Sequence, residues 1–107
     1  MRRFRPGPSI SSILKTLDRE GRLHGFEIAD SIQAFSQNIL QVEEGSLYPA
    51  LQRMLMKGWL SAEWGKTAEN RRARYYCLTR DGRKQLQREL ARYERVSAAI
   101  GRVLQPT

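Results

Sequence analysis

The residues best able to do chemistry in this sequence are cations, and they cluster in one short polar stretch. Lys66, Arg71, Arg72 and Arg74 lie close together, with Glu69 as the single acid among them. Ammonium and guanidinium groups bind phosphate oxygens through charge-assisted hydrogen bonds. The stretch therefore predicts contact with a phosphate-bearing partner. The alternative is that it forms an ordinary solvated loop.

Other kinds of chemistry find little support in the residue pattern. The sequence has no Gly-rich phosphate loop, no nucleophile near a usable base and no carboxylate pair at a credible spacing, so catalysis is not expected. His24 is the only histidine and Cys77 the only cysteine, so we expect no metal site, no cofactor and no intrachain disulfide. His24 is predicted to cap or pack at a helix start, with a phosphate or ligand contact as the alternative.

Charge and length limit the class of protein. The chain has 107 residues, enough for one domain with a modest core. Its 19 basic and 11 acidic residues give a net charge of +8, which favours a polyanionic partner, nucleic acid ahead of a membrane surface. No apolar run approaches the ~20 residues that span a bilayer, and no signal peptide is visible. We expect a cytoplasmic protein with no membrane partner.

A short amphipathic helix precedes the cationic stretch and ends at Gly58. Its apolar residues recur at helical spacing and form one stripe: Leu47, Leu51, Met54 and Leu55. The other face carries polar and cationic residues: Ser46, Tyr48, Pro49, Gln52, Arg53 and Lys57. Pro49 suits only the first turn of a helix. The helix therefore begins near Gly45 or Ser46, or near Glu44 with a weakened first turn.

A β-hairpin is predicted directly after this helix. Leu60, Ala62 and Trp64 alternate with polar residues, and Tyr76 and Leu78 alternate on the return strand. The polar segment 65–73 between them forms the tip of the hairpin and holds most of the cations.

Two further helices are predicted upstream. Ser9 or Ser11 caps the first, whose apolar face comprises Ile10, Ile13, Leu14 and Leu17, and Gly21 ends it. The second runs from about Gly25 to Gln37 and has four apolar residues at helical spacing: Phe26, Ala29, Ile32 and Phe35. Residues 1–8, with Arg2, Arg3 and Arg5, form a flexible basic arm that is either a disordered tail or a further phosphate contact.

A long final helix is predicted from about Arg80 to Val103, with Thr79 as its cap. One mostly apolar face has heptad-like spacing: Leu86, Leu90, Tyr93, Ser97, Ile100 and Leu104. Val96 and Val103 widen this stripe toward the C-terminus. Such a helix would be ~36 Å long, more than a compact domain can cover. This favours pairing with a second copy of the chain over folding back on its own first helix.

Ordered motifs over nearly the whole chain resemble one family, the PadR family of bacterial transcriptional regulators. They fall at residues 24–28, 45–51, 58–60, 63–65, 71–76 and 78–83. Phe26 stands where the family usually has Tyr. Glu43 and Glu44 replace a frequent Ser-Pro, which removes a good N-cap but suits the helix dipole.

The residue pattern and the resemblance together predict a mainly α fold with a small β-hairpin: a winged helix-turn-helix over residues 9–79 and a dimerisation helix over residues 80–107. The expected partners are double-stranded DNA and a second copy of the chain. The resulting homodimer would act as a repressor on a palindromic operator. A winged-helix adaptor for other proteins, without sequence-specific DNA binding, is the alternative.

Specific roles follow from this reading. DNA contacts are expected from the third helix and the hairpin, through Ser46, Tyr48, Pro49, Gln52, Arg53, Lys57, Lys66, Asn70, Arg71, Arg72 and Arg74. Dimer contacts are expected from Leu86, Leu90, Tyr93, Val96, Ile100, Val103 and Leu104. The resemblance also implies a small aromatic effector, for which Phe26, Trp59, Trp64 and Tyr93 could line a pocket, with ordinary core packing as the alternative.

Overall fold

The computed structural model describes residues 9–106, so the predicted basic arm lies outside the described residues. The elements in chain order are α1 (Ile10–Glu20), β1 (Leu23–His24), α2 (Gly25–Phe35), α3 (Glu44–Met56), β2 (Leu60–Lys66), β3 (Arg72–Leu78) and α4 (Arg80–Leu104). This is the predicted winged helix, mainly α with one small antiparallel sheet. Its core is formed by apolar residues from all four helices and the sheet, among them Ile13, Leu14, Leu17, Ile28, Leu47, Leu51, Leu60, Tyr76 and Leu86.

Side-chain caps fix the starts of three helices. Ser9 caps α1, and its Oγ accepts a hydrogen bond from the Ser12 N–H at 3.1 Å. His24 caps α2 in a reciprocal arrangement with Glu27: each side chain accepts from the other residue's N–H. Thr79 caps α4 and accepts from the Gly82 N–H at 3.0 Å. The predicted capping roles of Ser9, His24 and Thr79 are confirmed.

Only two of the four apolar residues predicted at helical spacing in α2, Ala29 and Ile32, pack in or against the core. Ile28 and Ile32 are buried, whereas Phe26 and Phe35 are 62% and 66% exposed. A helix turns 100° per residue, so the nine positions that separate these phenylalanines place them on opposite sides of the helix. The helix also ends at Phe35 rather than near Gln37, because Gln37 and Asn38 adopt positive φ.

Helix α3 begins at Glu44, so Pro49 lies in its second turn. Pro49 has no N–H to donate to the Gly45 carbonyl, which leaves the first turn weakened, one of the two predicted alternatives. Glu43 is the N-cap but makes no side-chain cap hydrogen bond. At the other end Gly58 has a φ of 77°, and the Trp59 N–H donates to the Met54 carbonyl at 3.0 Å. This glycine-terminated helix end is the predicted one.

The sheet has three strands in the order β1-β3-β2, all antiparallel. The two-residue strand β1 is too short to produce an alternating pattern, and it was not predicted. The hairpin of β2 and β3, called the wing below, is longer than expected, because the strands continue to Lys66 and resume at Arg72. Its tip is therefore residues 67–71, and Arg72 and Arg74 lie on a strand rather than in a loop.

Helix α4 packs on the core only through its first turns. Leu86 is buried and Leu90 is half-buried against the core, so Leu86 is a core residue of its own chain and not the dimer contact that was predicted. Every residue from Ala91 to Leu104 is exposed. In this segment Tyr93, Val96, Ile100, Val103 and Leu104 have exposed fractions between 48% and 82%.

Gly82 is the point at which α4 meets the link between α3 and β2. A Cβ at this position would overlap the main-chain carbonyl of Trp59, which itself accepts the Thr79 N–H at 3.0 Å. We therefore expect Gly82→Ala to lower the free energy of unfolding by about 1–3 kcal/mol, measured by urea denaturation.

Gly101 provides the matched control for Gly82, because it lies in the same helix and has open space around it. Gly101→Ala should raise the stability by about 0.5–1 kcal/mol through helix propensity alone. Equal effects of the two substitutions would contradict the close contact at Gly82.

Candidate nucleic-acid interface

The outer face of α3 is polar and open to solvent, as predicted. All six residues assigned to it are exposed: Ser46, Tyr48, Pro49, Gln52, Arg53 and Lys57. The opposite face buries Leu47, Leu51 and Met54 in the core. The helix is therefore held from one side and presents hydrogen-bonding groups and two cations on the other.

The wing carries its cations on one face of the hairpin. Trp64 pairs with Arg74 and Lys66 pairs with Arg72, so these four side chains lie on the same side of the two strands. The Arg72 guanidinium lies 4.4 Å from the centre of the Trp64 ring, a cation–π contact that orders both side chains. Trp64 continues the predicted alternation of Leu60 and Ala62, but its side chain lies beyond the core and is 59% exposed.

The tip of the wing is an ordered turn. The Thr67 N–H donates to the Arg71 carbonyl at 2.8 Å, and the Arg71 N–H donates to the Thr67 hydroxyl at 3.2 Å. Asn70 has a φ of 63°, a conformation that Asn tolerates better than most residues. The turn fixes the backbone from which the Arg71 side chain extends.

One groove of about 470 Å³ brings the face of α3 and the wing together. Tyr48 and Gln52 line it from the helix, and Arg71, Arg72 and Arg74 line it from the wing. Phe26, Trp64 and Tyr76 are also among its lining residues. Side chains far apart in sequence thus form a single cationic and aromatic surface.

Gly25 allows Tyr48 to lie where it does in the groove. A Cβ at Gly25 would lie 2.7 Å from the Tyr48 hydroxyl oxygen and 3.0 Å from Cζ. The first residue of α2 therefore packs directly against the outer face of α3.

The cations of this surface have no acidic partner in the described part of the chain. Among residues 9–106, no acidic oxygen lies within 4.0 Å of any of its six cations: Arg53, Lys57, Lys66, Arg71, Arg72 and Arg74. Glu63 pairs with Arg22 instead, and the Glu27 carboxylate accepts a hydrogen bond from the His24 N–H. Burial raises the pKa of Tyr76 above its ordinary value; Arg74 opposes the increase and Tyr48 adds to it. The Tyr76 hydroxyl therefore remains protonated and can donate at neutral pH.

Not all of the predicted site residues converge. Of the four aromatics suggested for an effector pocket, Phe26 and Trp64 line the groove just described. Tyr93 lines a separate hollow of about 310 Å³ between α1, α2 and α4. Trp59 packs against the core under the Lys57 ammonium, 4.8 Å away. Within one chain these four residues do not form one pocket.

The described part of the chain gives no sign of other chemistry. Residues 9–106 contain no group of three His, Cys, Asp or Glu side chains that could hold a metal ion. Nor is any helix in this range long and apolar enough to cross a membrane.

Comparison with known proteins agrees with this geometry. A family model described as the transcriptional regulator PadR-like family matches residues 13–88, well over half of the chain. The chain belongs to the PadR-like family. Its members are DNA-binding transcriptional regulators and not enzymes, which confirms both the predicted resemblance and the expectation that the chain is not catalytic.

Solved structures show the same fold at low sequence identity. A transcriptional regulator from Clostridium thermocellum is similar with a TM-score of 0.78 and 24% identity, over 89% of this chain and 92% of that one. A Streptococcus mutans protein has a TM-score of 0.76 and 27% identity, over 94% and 93%. An uncharacterised protein of Lysinibacillus sphaericus is 28% identical over 85% of this chain and 84% of its own length. The PadR-like fold therefore spans most of the chain.

Proposed function

We propose that this PadR-like protein is a cytoplasmic repressor that binds a palindromic DNA operator as a homodimer. The observation that carries the proposal is the shared groove, in which Tyr48 and Gln52 of α3 lie beside three wing arginines. The outer face of α3 would enter a major groove, where Gln52 is suited to read adenine through two hydrogen bonds.

The wing and the outer face of α3 would hold the DNA backbone. Arg71, Arg72 and Arg74 would bind phosphates, with Lys66 and Asn70 beside them at the end of the wing. From the helix, Ser46, Arg53 and Lys57 would add backbone contacts, and Pro49 would pack against the duplex. The absence of acidic partners for the cations within residues 9–106 supports this, because their charge is available to DNA.

Dimerisation would use the distal half of α4. The apolar residues from Tyr93 to Leu104 form a stripe that is exposed to solvent in a single chain. A symmetric partner would bury this stripe. A symmetric pair places two α3 helices about one turn of DNA apart, ~34–36 Å, and this geometry calls for a palindromic operator. A dimer bound across a promoter would prevent RNA polymerase from binding there, and the gene would be repressed.

Release by a small aromatic effector is a further part of the proposal. Phe26 and Trp64 line the groove, so a planar molecule held between them would occupy space that the DNA backbone needs. Effector and DNA would then exclude each other. A compound that raises the melting temperature of the protein but leaves its affinity for DNA unchanged would contradict an effector site in this groove.

Salt dependence tests the DNA-binding surface directly. If each protomer neutralises ~4 phosphates, a plot of log affinity against log salt should have a slope near −7 for the dimer. Fluorescence titration of a labelled duplex from the protein's own promoter region, at several salt concentrations, measures it. A slope shallower than about −3 would contradict the footprint, and no binding at low salt would favour the adaptor alternative.

A further inference from the structure

The back of the wing, the sheet face turned away from the groove, carries a compact set of contacts made by Arg22. Arg22 lies in the link between α1 and β1. Its Nε lies 2.6 Å from Glu63 Oε1, and its guanidinium carbon lies 3.9 Å from the centre of the Tyr75 ring. Glu63 and Tyr75 are paired across β2 and β3, so Arg22 contacts both strands of the wing.

Local sequence makes room for this arrangement. A Cβ at Gly65 would lie 2.7 Å from Arg22 Nη2 and 3.0 Å from two carbons of the Tyr75 ring. Glycine at this position therefore allows the guanidinium to lie close against the hairpin. The Tyr75 hydroxyl donates to the Lys66 carbonyl at 3.1 Å, which extends the contacts to the last residue of β2.

Beyond Tyr75, toward the tip, the wing has no third strand beside it. Strand β1 pairs only with Tyr75 and Tyr76, and the hairpin continues beyond them to its tip. A two-stranded hairpin is marginally stable by itself in water. The Arg22 side chain lies across the face of the hairpin, from the Tyr75 ring on β3 to the Glu63 carboxylate on β2.

We propose that Arg22 is a positioning residue for DNA binding: with Glu63 and Tyr75 it fixes the angle of the wing, so that the wing arginines and α3 meet the same duplex. The inference rests on the proposed function. In this proposal Arg22 makes no DNA contact of its own, because its guanidinium is engaged by Glu63 and Tyr75 on the back of the wing. If the wing is already fixed in the free protein, DNA binding does not have to order it, so less conformational entropy is lost on binding.

Glu63 separates this role from direct contact with phosphate. Replacing Glu63 with Gln removes a negative charge near the wing, which by electrostatics alone should strengthen DNA binding. The same change breaks the ion pair to Arg22, which by positioning should weaken binding. The two roles therefore predict opposite signs for a single substitution.

The experiment measures the dissociation constants of Arg22→Ala, Glu63→Gln and the double variant for a labelled random-sequence duplex of about 30 base pairs, roughly three helical turns. We expect each single variant to bind about three- to tenfold more weakly, and the double variant no more weakly than Arg22→Ala, because both changes break one set of contacts. Tighter or unchanged binding by Glu63→Gln would overturn the proposal, as would effects that multiply in the double variant.

A second ion pair provides matched controls. Lys15 and Asp18 lie on α1 with their charged atoms 3.9 Å apart. Lys15→Ala and Asp18→Asn make the same charge changes as the test variants, and we expect binding within about twofold of the parent. Losses as large as those of the Arg22 variants would assign the effect to net charge and overturn the proposal.

Amide hydrogen exchange tests the same inference without DNA. Exchange in residues 63–66 and 72–75 should become faster in Arg22→Ala and Glu63→Gln, while exchange in α1 stays unchanged. Unchanged wing exchange would overturn the positioning role. If the parent protein failed to bind duplex DNA but the wing exchange changed as expected, the proposed function would fail and the structural role of Arg22 would stand.

Discussion

Replacing Arg71, Arg72 and Arg74 together with alanine should weaken duplex binding by at least about 100-fold, since each charge-assisted contact contributes roughly 1 kcal/mol or more and a dimer would lose six of them. The slope of log affinity against log salt should become shallower by about 5 units, because ~0.9 units accompany each phosphate contact. Fluorescence titration at several salt concentrations measures both quantities.

Net charge alone also affects DNA affinity, so the control must remove the same charge elsewhere. Stepping 100° per residue around α4 places Lys84, Arg95 and Arg102 on the side opposite Tyr93 and Ile100. All three cations are exposed. Their combined replacement with alanine should change the affinity only a few-fold. Equal losses in the two triple variants would mean that the wing has no special role.

Local sequence patterns predicted where helices begin and end better than they predicted which helix faces are buried. Ser9, Gly58 and Thr79 act through hydrogen bonds or backbone conformations that involve residues nearby in sequence, so their roles could be inferred from type and position. The α2 face could not be inferred from apolar residues three apart, because repeated steps of three rotate around a helix. Phe35 instead lies exposed beside Arg19, whose guanidinium is 3.6 Å from its ring.

The candidate site required information that no local pattern contains. Alternation placed Trp64 on the same face as Leu60, but it cannot tell whether the core extends far enough to cover a residue near the tip. Nothing in the sequence around Arg22 pairs it with Glu63, 41 positions away. The convergence of α3 and the wing was expected from the family resemblance, and the groove that joins Tyr48 to the wing arginines agrees with that expectation.

A single acid in the apolar stripe of α4 should separate the proposed dimer. Ile100 is 52% exposed in one chain and lies between Val96 and Val103 along the helix. In a symmetric interface Ile100→Asp would bury two unpaired carboxylates, one from each protomer, at a cost of several kcal/mol. We expect the dissociation constant of the dimer to rise by at least about 100-fold. Analytical ultracentrifugation over a range of concentrations measures it.

The affinity for DNA should fall when the dimer is lost. A monomer can occupy one half-site only, so it loses the effective concentration that the second α3 helix gains from the first, typically 10²–10⁴-fold in affinity. Ala98→Asp introduces the same charge on the opposite side of α4 and should leave both assembly and affinity close to those of the parent. If Ile100→Asp remained dimeric, the partner surface would lie elsewhere on the chain; if it became monomeric yet bound a palindromic duplex with parental affinity, DNA recognition would not depend on two-fold symmetry.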